Sequence, residues 1–263
     1  MPELLIPIVL GLIEGITEFL PISSTGHLLI AEHWLGHRSD LFNVVIQAGA
    51  ILAVVLIYRE RLWQLATGLA DPKNRDYAAK LAVAFAITAV LGFAATKLGF
   101  KLPESITPVA WAMILGGFWM IAAERLAERQ PQHTEITWRV AILVGLAQVV
   151  AGIFPGTSRS AATIFIAMLA GTGNRSAATE FAFLVGIPTM FAASAYELLK
   201  TFKNGDAHED WTALAIAFVV SLVTAFVAVK WLLGYIRTHR FTAFAVYRIV
   251  LGVALLIALP AGV

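Results

Sequence analysis

The sequence contains no cysteine and few charged residues. Without cysteine, a disulfide framework, a thiolate nucleophile and Cys-ligated zinc or iron–sulfur sites are excluded. Asp, Glu, Lys and Arg make up 14% of the 263 residues, against about 25% in soluble domains, which excludes an ordinary water-soluble enzyme and a disordered chain. The formal net charge is only +2 and no Lys/Arg run marks a binding arm, so we expect no nucleic-acid partner.

A basic N-terminal region is also missing, since the first Lys or Arg is Arg38. We therefore predict no cleaved signal peptide. Apolar sequence is in excess: 59% of the residues are hydrophobic, and the mean hydropathy is +0.79. Because a membrane helix needs roughly 20 mostly apolar residues, six spans are predicted: Phe42–Tyr58, Ala78–Leu98, Thr107–Leu126, Thr179–Leu199, Thr212–Ile236 and Ala243–Leu259.

Two further apolar segments are interrupted by proline and carry ionisable residues. Leu4–Ile30 is broken by Pro21, and Arg139–Leu169 is broken by Pro155. A cluster of Ser, Thr and Gly follows each proline. Since proline ends a helix and Ser or Thr caps the next one, each segment is predicted to be a re-entrant helix–loop–helix hairpin that enters the membrane and returns.

The two broken segments resemble each other at an offset of 134 residues, where glycine, leucine and proline positions coincide and Ser24 aligns with Ser158. Each hairpin is followed by three predicted spans. We therefore predict a polytopic, all-α protein with one membrane domain over 1–263, built of repeats at about 1–130 and 131–263. Because three crossings invert the second half, the hairpin tips are expected to meet near the midplane, where inverted-repeat proteins place their binding site.

Lysine and arginine are shared unequally between the two sides of the predicted bundle. Twelve lie on the side that holds Arg59 and five on the other, while Arg159 and Arg248 remain inside the membrane. The excess of Lys and Arg predicts the cytoplasmic side. Both termini and the opening of the first hairpin are then expected outside the cytoplasm.

Glu14 and Glu18 are ionisable residues inside a predicted membrane segment, which makes them functional candidates because of their insertion cost. Their i, i+4 spacing places both carboxylates on one helix face. A divalent cation between them would remove their repulsion, with Mg²⁺ as the favoured ion and Ca²⁺ as the alternative. A purely structural pairing with Arg159 is the competing interpretation.

The residues after Pro21 combine a helix start with an imidazole. Ser23 or Ser24 is expected to cap the second helix of the hairpin. Together with Thr25 and Gly26, this start offers free N–H groups to an anion. His27 lies three residues beyond Ser24, so the two side chains resemble a nucleophile and its base.

The residues after Pro155 read as a phosphate cradle at a helix start. Arg159 presents a planar fork of N–H donors that matches phosphate oxygens. Its neighbours allow close backbone approach or offer hydroxyl groups; they are Gly156, Thr157, Ser158, Ser160 and Thr163. A salt bridge from Arg159 to Glu14 or Glu18 is the alternative. Both interpretations can be true if the salt bridge forms when the site is empty.

The two hairpins differ in chemistry, because the residues aligned with Glu14, Glu18 and His27 are Gln, Gly and Ala. One hairpin carries the acid, base and metal groups and the other carries the phosphate clamp, which favours an enzyme over a symmetric carrier. Arg248 is interpreted as structurally paired, with snorkelling or binding to a lipid phosphate as alternatives.

The stretch from Glu14 to His27, the PGTSRS motif at 155–160 and the AVYR motif at 245–248 resemble the undecaprenyl-diphosphatase family, also called the bacitracin-resistance protein family. The resemblance covers the whole chain. It implies a multi-pass enzyme of the bacterial inner membrane that removes the terminal phosphate from undecaprenyl diphosphate. Such an enzyme recycles the lipid carrier for peptidoglycan, confers bacitracin resistance, requires a divalent cation and has a periplasmic active site.

The resemblance also implies roles for individual residues: Glu14 and Glu18 form the acidic pair, Ser24 and His27 supply the hydroxyl and the imidazole, and Arg159 binds phosphate. Our hypothesis is that Ser24 attacks the terminal phosphoryl group while His27 or Glu18 takes its proton. In a competing version His27 activates water directly and no phosphoenzyme forms.

Other functions fit the sequence less well. A flippase for undecaprenyl phosphate, alone or coupled to hydrolysis, is the main alternative. A lipid phosphatase with a phosphohistidine intermediate needs two His and a Lys/Arg cluster in three spaced motifs, which we do not find. A purely structural protein leaves the membrane charges unexplained. The sequence leaves the oligomeric state open, with a homodimer as one alternative.

Overall fold

The computed structural model describes residues 4–98, 106–204 and 210–258, and within these ranges the chain is all α-helix. The eleven helices of these ranges are α1 Leu5–Thr17, α2 Ser24–Leu35, α3 Asp40–Ile57, α4 Arg59–Thr67, α5 Pro72–Lys97, α6 Ile106–Ala127, α7 Trp138–Ile153, α8 Arg159–Ala170, α9 Arg175–Asn204, α10 Trp211–Tyr235 and α11 Thr242–Ala258. The prediction of an all-α protein is confirmed.

Five of these helices, α3, α5, α6, α9 and α10, are long and apolar enough to cross a membrane. They correspond to the first five predicted spans, so the polytopic prediction is confirmed. The sixth predicted span corresponds to α11, which has 17 residues and reaches the lower limit of about 17–25 residues for a crossing helix. Its predicted end, residue 259, lies outside the described residues.

Both predicted breaks are present, because α1 and α2 are separated at Pro21 and α7 and α8 at Pro155. Ser23 caps α2, and its Oγ accepts a hydrogen bond from the N–H of Gly26. Ser158 caps α8 in the same way through the N–H of Ala161. Both serines have a positive φ, 75° and 67°, which is a strained conformation for residues other than glycine.

The caps align the two hairpins one residue differently from the sequence pattern. Ser23 corresponds to Ser158 as the cap, an offset of 135 rather than 134. The second turn holds one more residue between the proline and the cap, and Gly156 accommodates it with a φ of +90°. Ser24 and Arg159 therefore occupy the equivalent first position of α2 and α8.

Two elements on one side of the bundle were not predicted at these bounds. The short helix α4 follows α3 directly, and α5 begins at Pro72, six residues before the predicted span. Asp71 caps α5, because its side chain accepts a hydrogen bond from the N–H of Lys73, and proline fits the first turn of a helix. The polar residues before Ala78 thus extend α5 beyond the N-terminal end that the apolar pattern predicts.

Each hairpin packs against a long helix from the other half of the chain: α1 lies on α10, and α7 lies on α5. Glycine permits both contacts. A Cβ on Gly15 would lie 2.6 Å from the carbonyl oxygen of Ser221, and one on Gly145 would lie 2.7 Å from that of Ala84. These close approaches hold both hairpins inside the bundle.

We expect Gly15→Ala to destabilise the protein by about 1–3 kcal/mol, because the new methyl group meets backbone that must move. Gly152→Ala is the matched control, since a Cβ there meets nothing within 4 Å and alanine favours a helix by about 1 kcal/mol. Thermal unfolding in detergent should show a lower Tm for the first variant only. Equal Tm values would contradict the packing argument.

Candidate active site

Glu18 lies at the point where the two hairpins meet. Its Oε1 forms an ion pair with Nη2 of Arg159 from the start of α8. Its Oε2 accepts a hydrogen bond from Oγ of Ser24 at the start of α2. The carboxylate is buried and engages one partner on each oxygen. The structure thus brings three residues predicted from separate motifs together around one carboxyl group.

Glu14 lies one helical turn before Glu18 and is fully buried. Both of its carboxylate oxygens lack a hydrogen-bond partner within the described residues. The salt bridge considered in the sequence therefore joins Arg159 to Glu18 and leaves Glu14 free. A buried carboxylate without a partner is costly, so either a proton or a cation is needed there.

The donor set near Glu14 fits Mg²⁺ better than Ca²⁺. In the part of the chain that the structure describes, no group of three or more His, Asp or Glu side chains could hold a metal ion. Glu14 offers two unpartnered carboxylate oxygens, and Glu18 offers a second carboxylate whose oxygens are engaged by Arg159 and Ser24. Mg²⁺ is commonly held by one or two carboxylates with water and substrate phosphates, whereas Ca²⁺ takes 6–8 oxygen ligands.

His27 makes no hydrogen bond to Ser24 in the described part of the chain, because both of its ring nitrogens have other partners. Its Nδ1 lies 2.7 Å from the carbonyl oxygen of Ser23, and its Nε2 lies 2.7 Å from Oη of Tyr247. The group that touches the Ser24 hydroxyl is Glu18. Of the two bases considered for this serine, the geometry favours Glu18.

Several hydroxyl groups expected to bind phosphate are engaged within the hairpins. Ser160 donates to the carbonyl oxygen of Leu20 at 3.0 Å and so ties the two hairpins together. Thr163 donates to the carbonyl oxygen of Arg159 at 2.7 Å. Ser158 caps α8 and lies 3.1 Å from Oγ of Ser160. The hydrogen bonds of these side chains therefore stabilise the start of α8 and its contact with the first hairpin.

Backbone donors remain at the two helix starts. The N–H groups of Ser24 and Thr25 in α2, and of Arg159 and Ser160 in α8, make no hydrogen bond to the described residues. Helix N-termini with free N–H groups attract anions. Because Ser24 and Arg159 both contact Glu18, its carboxylate lies between the two helix starts.

The Glu18–Arg159 pair borders a narrow cleft against α9, which also contains Ser160 and Thr163. The cleft leaves a cavity of about 10 Å³, roughly the space of one water molecule. Thr157 lies elsewhere, on the wall of an apolar groove of about 540 Å³ between α6, α7 and α8. The cleft must widen to admit a phosphate group.

Arg248 of α11 links the two hairpin tips. It is fully buried, and its guanidinium donates to the carbonyl oxygens of Pro21 at 3.5 Å, Gly156 at 2.8 Å and Ala112 at 3.2 Å. The structural pairing predicted for Arg248 is present, but its partners are backbone carbonyls. The sequence did not predict the contacts of Arg248 with the hairpin tips or the contact of Tyr247 with His27. The AVYR motif at 245–248 was the one sequence feature that pointed to these two residues.

Comparison with known proteins places the chain in a family. The family model described as bacitracin resistance protein BacA matches residues 7–254. The chain belongs to the bacitracin resistance protein family. The match includes every site residue described above, from Glu14 to Arg248.

Two similar proteins from bacteria are both named undecaprenyl-diphosphatase. The undecaprenyl-diphosphatase of Rhizobium johnstonii is 75% identical over 249 residues, which is 94% of each chain. The undecaprenyl-diphosphatase of Xanthomonas euvesicatoria is 63% identical over 262 residues, which is 99% of each chain.

Proposed function

We propose that this protein hydrolyses undecaprenyl diphosphate to undecaprenyl phosphate and inorganic phosphate. The names of its relatives support this activity. The observation that carries the proposal is the arrangement around Glu18, where a serine hydroxyl, a guanidinium fork and two helix starts converge. This arrangement combines a nucleophile and base with donors for a phosphoryl group.

In the proposed mechanism, the terminal phosphoryl group takes the place of the Glu18 carboxylate beside Arg159. Oγ of Ser24 attacks phosphorus and gives its proton to Glu18, while the bond to the bridging oxygen breaks and undecaprenyl phosphate leaves with the electron pair. Water then cleaves the phosphoserine, and the proton on Glu18 returns to Oγ. Arg159 and the free N–H groups of α2 and α8 stabilise the developing negative charge.

A divalent cation is part of the proposal, with Mg²⁺ favoured over Ca²⁺. Glu14 and Glu18 would hold it, and the unpartnered oxygens of buried Glu14 support this assignment. When bound, the cation supplies Lewis-acid neutralisation of the diphosphate charge. The residues named above orient the substrate and move the proton.

We place the protein in the bacterial inner membrane, with the active site and both termini on the periplasmic side. The Lys/Arg asymmetry of the loops supports this orientation. Hydrolysis at that surface would recycle the lipid carrier for peptidoglycan and lower the amount of diphosphate lipid that bacitracin can sequester.

Phosphate release from undecaprenyl or farnesyl diphosphate tests the function directly. We expect release by the detergent-purified protein with Mg²⁺, loss of release with EDTA, and a fall in kcat of about 10²–10³-fold for Arg159→Ala, because a charge-stabilising donor is removed. Arg59→Ala is the matched control, since Arg59 is 71% exposed. A folded, metal-loaded protein that releases no phosphate would overturn the proposal and favour the carrier.

Acid quenching during turnover tests the nucleophile separately. With a radiolabelled terminal phosphate, we expect a phosphoserine at Ser24 that is absent from Ser24→Ala. If wild-type protein turns over substrate without any trapped label on Ser24, the version in which His27 activates water directly is favoured.

A further inference from the structure

The contact between His27 and Tyr247 joins the start of α2 to α11, 220 residues further along the chain. The Tyr247 hydroxyl lies 2.7 Å from Nε2 of His27. The two rings are also nearly parallel, with centroids 5.7 Å apart and planes inclined by 5°. Tyr247 is 44% exposed, so core packing alone does not fix the position of its ring.

The partners of His27 determine which nitrogen carries the proton. The carbonyl oxygen of Ser23 can only accept a hydrogen bond, so Nδ1 must be protonated to donate to it. In a neutral imidazole, Nε2 then holds the lone pair. The phenol of Tyr247 must therefore be the donor to Nε2.

We infer that Tyr247 is a positioning residue for the proposed hydrolysis: its hydroxyl holds the His27 ring in one orientation, as the neutral Nδ1–H tautomer, with the Nε2 lone pair directed towards α11. Ser23 and Tyr247 hold the ring from opposite edges. Because Ser23 also caps α2, the orientation of the imidazole is tied to the turn that places Ser24 beside Glu18. The inference rests on the proposed function for its effect on catalysis, but the tautomer is a property of the folded protein.

A double-mutant cycle distinguishes positioning from a structural role. We expect Tyr247→Phe to lower kcat about 10-fold and leave KM within about twofold, because a His27 ring without its Nε2 donor holds Ser23, and with it the turn that places Ser24 beside Glu18, less firmly. In a His27→Ala background, the same change should lower kcat no further, since residues that act through one group are not additive. Independent effects that multiply in the double variant would overturn the inference.

Tyr235→Phe is the matched control for this cycle. Tyr235 stacks on His239 with centroids 4.6 Å apart, so it shares the aromatic contact, but no hydrogen bond joins its hydroxyl to that ring in the described structure. We expect wild-type kcat and an unchanged Tm. A loss of kcat in this variant equal to that of Tyr247→Phe would assign the effect to general packing and overturn the inference.

The tautomer can be measured without any turnover. The chain has six histidines, and comparison of ¹⁵N-histidine-labelled wild type with His27→Ala identifies the His27 signals. We expect wild-type His27 to show a protonated Nδ1 and a hydrogen-bonded, unprotonated Nε2, and Tyr247→Phe to shift the Nε2 signal. A protonated Nε2 in the wild type would overturn the inference even if the Tyr247 variant failed to fold. An inactive wild type with the expected tautomer would refute the proposed function alone.

Discussion

Glu18→Gln is expected to lower kcat for phosphate release by about 10²–10⁴-fold, the range for loss of a general base. Glutamine keeps the size of the side chain but cannot take the proton of Ser24. It also cannot form the ion pair that holds Arg159 beside the nucleophile. Steady-state phosphate release with undecaprenyl diphosphate measures the effect, and the acid-quench experiment should trap far less phosphoserine.

The control for this variant is Glu60→Gln, because Glu60 is 84% exposed and its contact with Arg59 is long, at 3.8 Å. We expect wild-type kcat for it. If Glu18→Gln retained activity within a few-fold of wild type while remaining folded, Glu18 would not be the base for Ser24, and His27 would become the remaining candidate.

Arg248→Met is expected to lower stability by about 3–5 kcal/mol and to abolish most activity. The change removes the charged donor from three carbonyl oxygens, two of which are in buried hydrogen bonds, and this is the costly way to lose a buried interaction. Since two of these carbonyls belong to the hairpin tips, the tips should lose their fixed separation. We therefore expect a higher KM for the diphosphate as well as a lower Tm.

Arg248→Lys and Arg237→Met serve as comparisons. Lysine keeps the charge but concentrates its donors on one nitrogen. We therefore expect the Tm of Arg248→Lys to lie between those of Arg248→Met and the wild type. Arg237 is an exposed arginine beyond α10, and its loss should be neutral. Equal Tm values for Arg248→Met and Arg237→Met would show that the guanidinium does not hold the tips.

The parts of the fold and site that depend on local sequence could be predicted. Proline at the breaks and serine at the caps act within a few residues, so both hairpins follow from the sequence. The cost of charge in a membrane segment marks Glu18 and Arg159 as functional candidates, and their pairing is one of the alternatives that this cost suggests.

The contacts that depend on distant packing could not be predicted. Tyr247 and Arg248 reach the hairpins only because α11 packs beside α6, which no local pattern reveals. The offset between the hairpins is shifted by one residue because the positive φ of Gly156 accommodates a longer turn. The hydroxyls of Ser160 and Thr163 could be counted in the sequence, but their inward hydrogen bonds depend on neighbouring backbone.

The ion pair between Glu18 and Arg159 also determines the charge of the site when no substrate is bound. The carboxylate of Glu18 lies where the proposed mechanism places the phosphoryl group, so opposite charges cancel in a cleft with room for about one water molecule. An entering anion must therefore compete with a tethered carboxylate for the guanidinium. In the proposed mechanism, release of the product phosphate lets the Glu18 carboxylate pair with Arg159 again, so no ion from solution would be needed to neutralise the guanidinium.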